Sequence, residues 1–179
     1  MKKVVLTCGL ISGAIVSGMM AIGTTLCVKN AGYKSSEVIG YTSMILAFSL
    51  VFVGIKMFRD KYNGGSVTFG KAFMVGFYIS LIASTMYVLA WSIEYNYIFP
   101  DFMDKYSAHM IENAKATGKS QASIDATVKQ MDMYKGMYKN PLFFVLLTYA
   151  EILPVGLVVS LISALILKRK DKKNVMVAN

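Results

Sequence analysis

The chain has 179 residues, of which 55% are hydrophobic and only 16% are charged. A soluble domain of this size carries roughly a quarter charged residues, because its surface must be wetted. The 19 Lys and Arg and the 10 Asp and Glu residues are too few for that. Composition therefore excludes, as first interpretations, a disordered chain, a nucleic-acid-binding domain and an ordinary cytosolic enzyme, and it favours a membrane protein whose single domain covers residues 1–179.

Four apolar segments are long enough to cross a hydrocarbon core of about 30 Å, which takes about 20 helical residues. Their apolar runs are continuous rather than alternating, so they predict helices and not the strands of a barrel. The first segment follows Lys2 and Lys3 but far exceeds the apolar core of a signal peptide, about 7–15 residues, so we expect it to be retained. The predicted spans cover residues 4–28, 38–55, 69–93 and 142–167.

Basic residues predict the orientation of these spans, since cytoplasmic connections are rich in Lys and Arg. The two termini and the connection after the second span are more basic than the other side, and only Asp60 and Asp171 oppose these charges. The sequence thus predicts a bacterial inner-membrane protein with both termini cytoplasmic and residues 101–140 periplasmic. The net charge of +9 then lies mostly at the inner interface, where anionic lipid attracts it, and predicts no nucleic-acid partner. The expected lipid contacts are Arg59, Lys61 and Lys71.

Small residues recur at helical spacing in every predicted span, and in lipid such residues let helices approach closely. Together they predict an antiparallel four-helix bundle. The alternative is that one stripe, most plausibly that of the first helix, is a homodimer face. The stripes are Gly9, Gly13, Ser17, Ala21 and Thr25; Gly40, Ser43, Ala47 and Gly54; Ala72, Gly76, Ser80 and Ser84; and Gly156, Ser160 and Ala164.

Residues 101–140 form the one sizeable segment outside the predicted spans. Apolar residues recur along it at helical spacing on both sides of Gly118, which predicts an extramembrane hairpin of two amphipathic helices. Asn140 is expected to cap the following span, with Pro141 at its first position. The hairpin is interpreted as a lid over the bundle mouth, and the alternative is a docking site. The apolar positions are Phe102, Tyr106 and Met110, then Ile124, Val128, Met131 and Tyr138.

Two carboxylates, Glu94 and Glu151, fall in the outer part of the predicted membrane region. A charge there is costly and normally has a partner or faces water. Pro154 removes a backbone hydrogen bond nearby, where an ion or water could lie. We therefore consider a proton or cation site formed by Glu151 with Glu94, Tyr149 and Pro154. The alternative is that each carboxylate is protonated or satisfied by a hydroxyl group.

The sequence predicts no catalytic, cofactor or metal site. His109 is the only histidine, and nothing marks neighbours that would converge on it as metal ligands. Cys8 and Cys27 lie about 28 Å apart along one helix, too far to form a disulfide with each other. Both are interpreted as small apolar residues.

Residues 52–61 (FVGIKMFRDK) and 64–73 (GGSVTFGKAF), with the stretch from Trp91 to Phe102, carry a family resemblance. The chain resembles the small membrane proteins of Bacteroidota catalogued as domain of unknown function 4199. The resemblance covers most of the chain and implies a four-helix inner-membrane protein with a long loop between helices three and four. It implies no activity.

The leading functional hypothesis is a non-enzymatic interaction or accessory subunit of the inner membrane, with the lipid bilayer and a second copy or another membrane protein as its partners. The alternative is a small oligomeric transporter or channel with a carboxylate site linked to protons or cations. A cavity reaching Glu151 would favour the alternative, and a closed, dry bundle would favour the first.

Overall fold

The computed structural model describes residues 1–29 and 37–169. Over these ranges the chain is helical, and its only strand-like feature is an isolated bridge between Val67 and Arg169. Some of the basic residues on which the predicted orientation rests lie outside the described residues, namely Lys34, Lys170, Lys172 and Lys173.

Four long helices are apolar, whereas the two helices that precede the last of these are not. The helices that are long and apolar enough to cross a membrane are Lys2–Lys29, Gly40–Tyr62, Phe69–Ile98 and Pro141–Leu167. The predicted all-α class with four membrane-length helices is therefore confirmed. In chain order the helices are α1 (Lys2–Lys29), α2 (Glu37–Met57), α3 (Phe69–Ile93), α4 (Phe102–Ala116), α5 (Gln121–Lys139) and α6 (Pro141–Leu167), and α2 and α3 continue as the π-helical turns Phe58–Tyr62 and Glu94–Ile98.

Local side chains set the ends of these helices as the sequence predicts. The Asn140 side chain accepts a hydrogen bond of 2.9 Å from the backbone N–H two residues further on, at the start of α6. Thr68 caps α3 in the same way. The turn before α3 needs positive φ, and Gly64 and Gly65 supply it at 63° and 80°. Each cap satisfies backbone groups that the helix itself leaves unpaired.

Helices α3 and α6 meet along small residues. A Cβ atom added at Gly76 would lie 2.9 Å from the Ser160 Cβ, and one added at Gly156 would lie 2.7 Å from the Ser80 Cβ. The Ser80 hydroxyl donates to the Gly156 carbonyl at 3.1 Å, and the Ser160 hydroxyl donates to the same oxygen at 2.7 Å. The two backbones are therefore as close as glycine allows, and the Ser80 and Ser160 hydroxyls are both paired.

Helices α1 and α6 each pack against both α2 and α3. On the α1 side, a Cβ atom at Gly9 would lie 2.9 Å from the Ile82 Cβ of α3. Toward α2, the Ser12 hydroxyl donates to the Ala47 carbonyl at 2.7 Å. By contrast, Gly18, further along α1, has no neighbour among the described residues within 4 Å of its Cβ position. The first part of the α1 stripe is thus used within the chain.

The core between Ile152 and the C-terminal end of α6 consists of buried side chains. Its large side chains come from α2, α3 and α6 and are fully buried. They include Phe48, Val51, Ile55, Val75, Ile79 and Ile152, each at 0% exposure.

Helices α4 and α5 pack against each other, and α5 also contacts α6. An ion pair of 3.0 Å joins Asp104 to Lys135 across the two. The buried face of α4 is rotated slightly from the expected stripe: Met103 and Ser107 are buried, whereas Phe102 is half-buried. The reason is that Phe102 packs against Trp91 of α3 at the rim of a cavity rather than into a closed core.

Candidate functional site

A cavity of about 420 Å³ lies where α1, α3, α4, α5 and α6 meet. Its wall combines apolar and aromatic side chains with one carboxylate. A volume of a few hundred Å³ with few polar groups is typical of small-molecule sites. The lining residues are Met20, Thr24, Tyr87, Trp91, Phe102, Met103, Tyr106, Tyr134, Tyr138, Leu147 and Glu151.

Ring contacts connect the cavity wall into one aromatic cluster. The Trp91 ring meets Phe102 edge-on with centroids 5.3 Å apart, and Phe102 stacks on Tyr106 at 5.8 Å. On the other side, the Tyr95 and Tyr138 rings meet edge to face with centroids 5.3 Å apart. These edge-to-face and offset arrangements are the favourable geometries for aromatic pairs. The wall is therefore braced from both the α3–α4 and the α3–α5 sides.

Glu151 supplies the single carboxylate of the cavity, because α6 turns this residue toward α3 and α5. The negative charge of Glu151 acts on the phenol of Tyr138. Tyr138 belongs to α5, which is not one of the membrane-length helices. Burial first, and then the negative charge of Glu151, raise the pKa of Tyr138 to about 12. Tyr138 thus keeps its hydroxyl proton at neutral pH and faces the carboxylate as a neutral group.

Glu94 is not among the residues that line the cavity. Its side chain is only 6% exposed, and its Oε2 atom has no hydrogen-bond partner in the described part of the chain. Glu94 lies in the π-helical turn that ends α3, where its backbone carbonyl accepts from Phe99 at 2.7 Å. The two carboxylates that the sequence suggested as one site therefore stand in different surroundings.

Tyr149 and Pro154 do not line the cavity either. The Tyr149 hydroxyl is bound to the Thr85 hydroxyl at 2.8 Å. Because residues two apart on a helix point about 200° from each other, Tyr149 and Glu151 occupy different faces of α6. Pro154 lies within α6, which runs through it from Pro141 to Leu167. Of the suggested group, only Glu151 reaches the cavity.

The basic residues expected at the inner interface differ in their surroundings. Arg59 is bound to Asp60 at 2.6 Å and donates to the Leu167 carbonyl at 3.4 Å, so it serves contacts within the protein. Lys61 and Lys71 are exposed. All of these residues lie near the end of the molecule that is remote from the cavity.

Metal-binding geometry is not found in the described residues, since no group of three or more His, Cys, Asp or Glu side chains comes together there. The feature that sequence reasoning missed is the aromatic wall. Part of the aromatic wall could be recognised in the sequence, because Tyr87 and Trp91 lie one helical turn apart, as do Phe102 and Tyr106. The sequence offered no means of bringing the two pairs together.

A family model described as Protein of unknown function (DUF4199) matches residues 7–169 of this chain. Neither the curated proteins nor the solved structures contain a match.

Proposed function

We propose that this chain, which belongs to the DUF4199 family of proteins of unknown function, is a non-enzymatic accessory subunit of the bacterial inner membrane that binds a ligand or partner at its outer face. The fully buried core carries the accessory role, because it favours that role over a transport path. The cavity supplies the binding site: it is an aromatic pocket with one carboxylate, the composition of a binding site.

In this proposal the four apolar helices cross the bilayer as an antiparallel bundle with both termini in the cytoplasm. Support comes from Arg59, Lys61 and Lys71, which cluster at the end where α2 gives way to α3. The α4–α5 hairpin then covers the bundle from the periplasm. Lys61 and Lys71 contact anionic lipid headgroups, while Arg59 stabilises the end of α6.

A photo-crosslinking residue at Met133 on α5 tests the accessory role in native membranes. The Met133 side chain is 51% exposed, and in this proposal it faces the periplasm, where a partner protein binds. We expect one reproducible protein adduct from this position. The matched control is the same residue at Leu46, a 58% exposed position of α2 that faces lipid. Equal adduct patterns at both positions, or none at Met133, would contradict the accessory role.

The second candidate function is a small oligomeric transporter with a site linked to protons or cations, and the presence of Glu151 in an accessible cavity favours it. Transport predicts ion-dependent flux in proteoliposomes that Glu151→Gln abolishes and Glu112→Gln, an exposed carboxylate on α4, leaves intact. The accessory role predicts no flux from either protein. The measurement therefore separates the two candidates directly.

A further inference from the structure

Among the described residues, no positive side chain lines the cavity beside the carboxylate of Glu151. Apart from Glu151, the lining residues are aromatic or are Met, Thr and Leu. The ion pairs found in the described part of the chain are Arg59–Asp60, Lys105–Asp101 and Lys135–Asp104, none of which includes Glu151. A carboxylate in the membrane region pairs with a counter-charge, takes up a proton or faces water. A positive ligand in the cavity would supply the counter-charge that the described side chains do not.

The rest of the wall is suited to a positive ligand. Six of the lining residues are aromatic: Tyr87, Trp91, Phe102, Tyr106, Tyr134 and Tyr138. The faces of aromatic rings attract cations through their quadrupoles, and cages of such rings are the recurring solution for binding alkylated ammonium groups. Around one carboxylate these rings add attraction for a cation that is weakly hydrated.

The same donor set disfavours an inorganic cation. Calcium takes six to eight oxygen ligands and magnesium an octahedron of them, whereas this wall offers one carboxylate and a few hydroxyl groups. The volume of about 420 Å³ also exceeds that of a single ion and falls in the range of small organic ligands.

We propose that the cavity binds a small organic ammonium ion, with Glu151 as its counter-charge and the surrounding aromatic rings as its cage. The inference rests on the proposed use of the cavity as a binding site, but it holds for an accessory subunit and for a transporter alike. The ammonium group belongs either to a free amine or to a lipid headgroup that enters from the outer leaflet. Tyr95 and Phe144, which pack on Tyr138, keep the cage in shape before the ligand arrives.

The chain reports binding by itself, because Trp91 is its only tryptophan and lines the cavity. The full-length protein, purified in a maltoside detergent free of ammonium groups, is titrated with choline and with its neutral isostere 3,3-dimethylbutan-1-ol while Trp91 emission is recorded. We expect saturable binding of choline and binding of the isostere that is weaker by about tenfold or more, since it lacks the charge.

Variants identify the groups responsible. Glu151→Gln should weaken choline binding by about 10- to 100-fold, the range for losing a charged partner. Glu112→Gln should bind as the parent protein does. Tyr134→Leu should weaken binding by about 2- to 30-fold, and Tyr134→Phe, which keeps the ring, should restore most of it. Elution as a single species in size-exclusion chromatography shows that each variant is folded.

Lipid nanodiscs distinguish the two sources of the ammonium group. If a headgroup is the ligand, choline binds more weakly in phosphatidylethanolamine discs than in discs of digalactosyldiacylglycerol, which is uncharged and has no ammonium group, and if a free amine is the ligand the affinities agree. Equal affinity for choline and its neutral isostere, or unchanged choline binding in folded Glu151→Gln, overturns the ammonium assignment and leaves the cavity as a binding site for another class. Failure of both compounds to bind overturns the binding site as well.

Discussion

Replacement of Gly156 by valine should strongly destabilise the protein, with loss of the native species in mild detergent. Even the first added carbon would lie 2.7 Å from the Ser80 Cβ and 3.0 Å from the Phe48 ring. Overpacking a fitted core costs about 1–3 kcal/mol for small insertions and more for branched ones. We expect Gly156→Ala to lower the free energy of unfolding by an amount in that range and Gly156→Val by more, measured by thermal unfolding monitored with size-exclusion chromatography.

The matched control is Gly18→Val on α1, where no atom of the residues that the structure describes lies within 4 Å of the Cβ position and stability should hardly change. A second test adds Ser80→Gly to Gly156→Ala, which removes the carbon that the new methyl group would meet. The pair should lose less stability than the sum of its members, because the two sites are in contact. Strict additivity would show that α3 and α6 do not approach as closely as described.

Replacement of Glu94 by methionine should have the opposite effect and stabilise the protein. Glu94 is 6% exposed, and its Oε2 atom has no partner among the described residues. A buried polar group without a hydrogen bond costs about 1–3 kcal/mol, so an apolar side chain of similar length should raise the free energy of unfolding by a comparable amount. Thermal unfolding in detergent measures the change.

Glu94→Gln is the control for this prediction, because glutamine keeps the shape of the side chain and its unsatisfied polar group. The free energy of unfolding should therefore rise much less in Glu94→Gln than in Glu94→Met. A loss of stability in Glu94→Met would mean that the carboxylate has a stabilising partner. Choline binding measured through Trp91 should be the same in both variants, because Glu94 does not line the cavity.

The helices were predictable because their signals are local. Apolar length defined the four long helices, and the pair Asn140–Pro141 marked the start of α6 by a hydrogen bond between near neighbours. The turn before α3 is local in the same sense, because the glycine pair after Asn63 supplies its positive φ values. Features that depend on a few consecutive residues can be derived from those residues alone.

The cavity could not be derived in this way, because its wall is assembled from five helices. Glu151 was singled out by the cost of a charge in lipid, which is a property of one residue. Residues that share the cavity with it, such as Tyr87 and Tyr134, are separated from it in sequence and are brought to the cavity only by packing. Tyr149 was grouped with Glu151 by proximity along the chain, although helical geometry alone directs the two to different faces.

The bridge between Val67 and Arg169 has a mechanical consequence. Two backbone hydrogen bonds, from Val67 to Arg169 at 3.0 Å and from Arg169 to Val67 at 2.9 Å, fasten the connection before α3 to the residues that follow α6. These two helices are thereby fastened to each other at the end remote from the cavity, and the hydrogen bond between the Thr85 and Tyr149 hydroxyls joins them again near the cavity. Independent movement of α6 relative to α3 is therefore restrained at both ends.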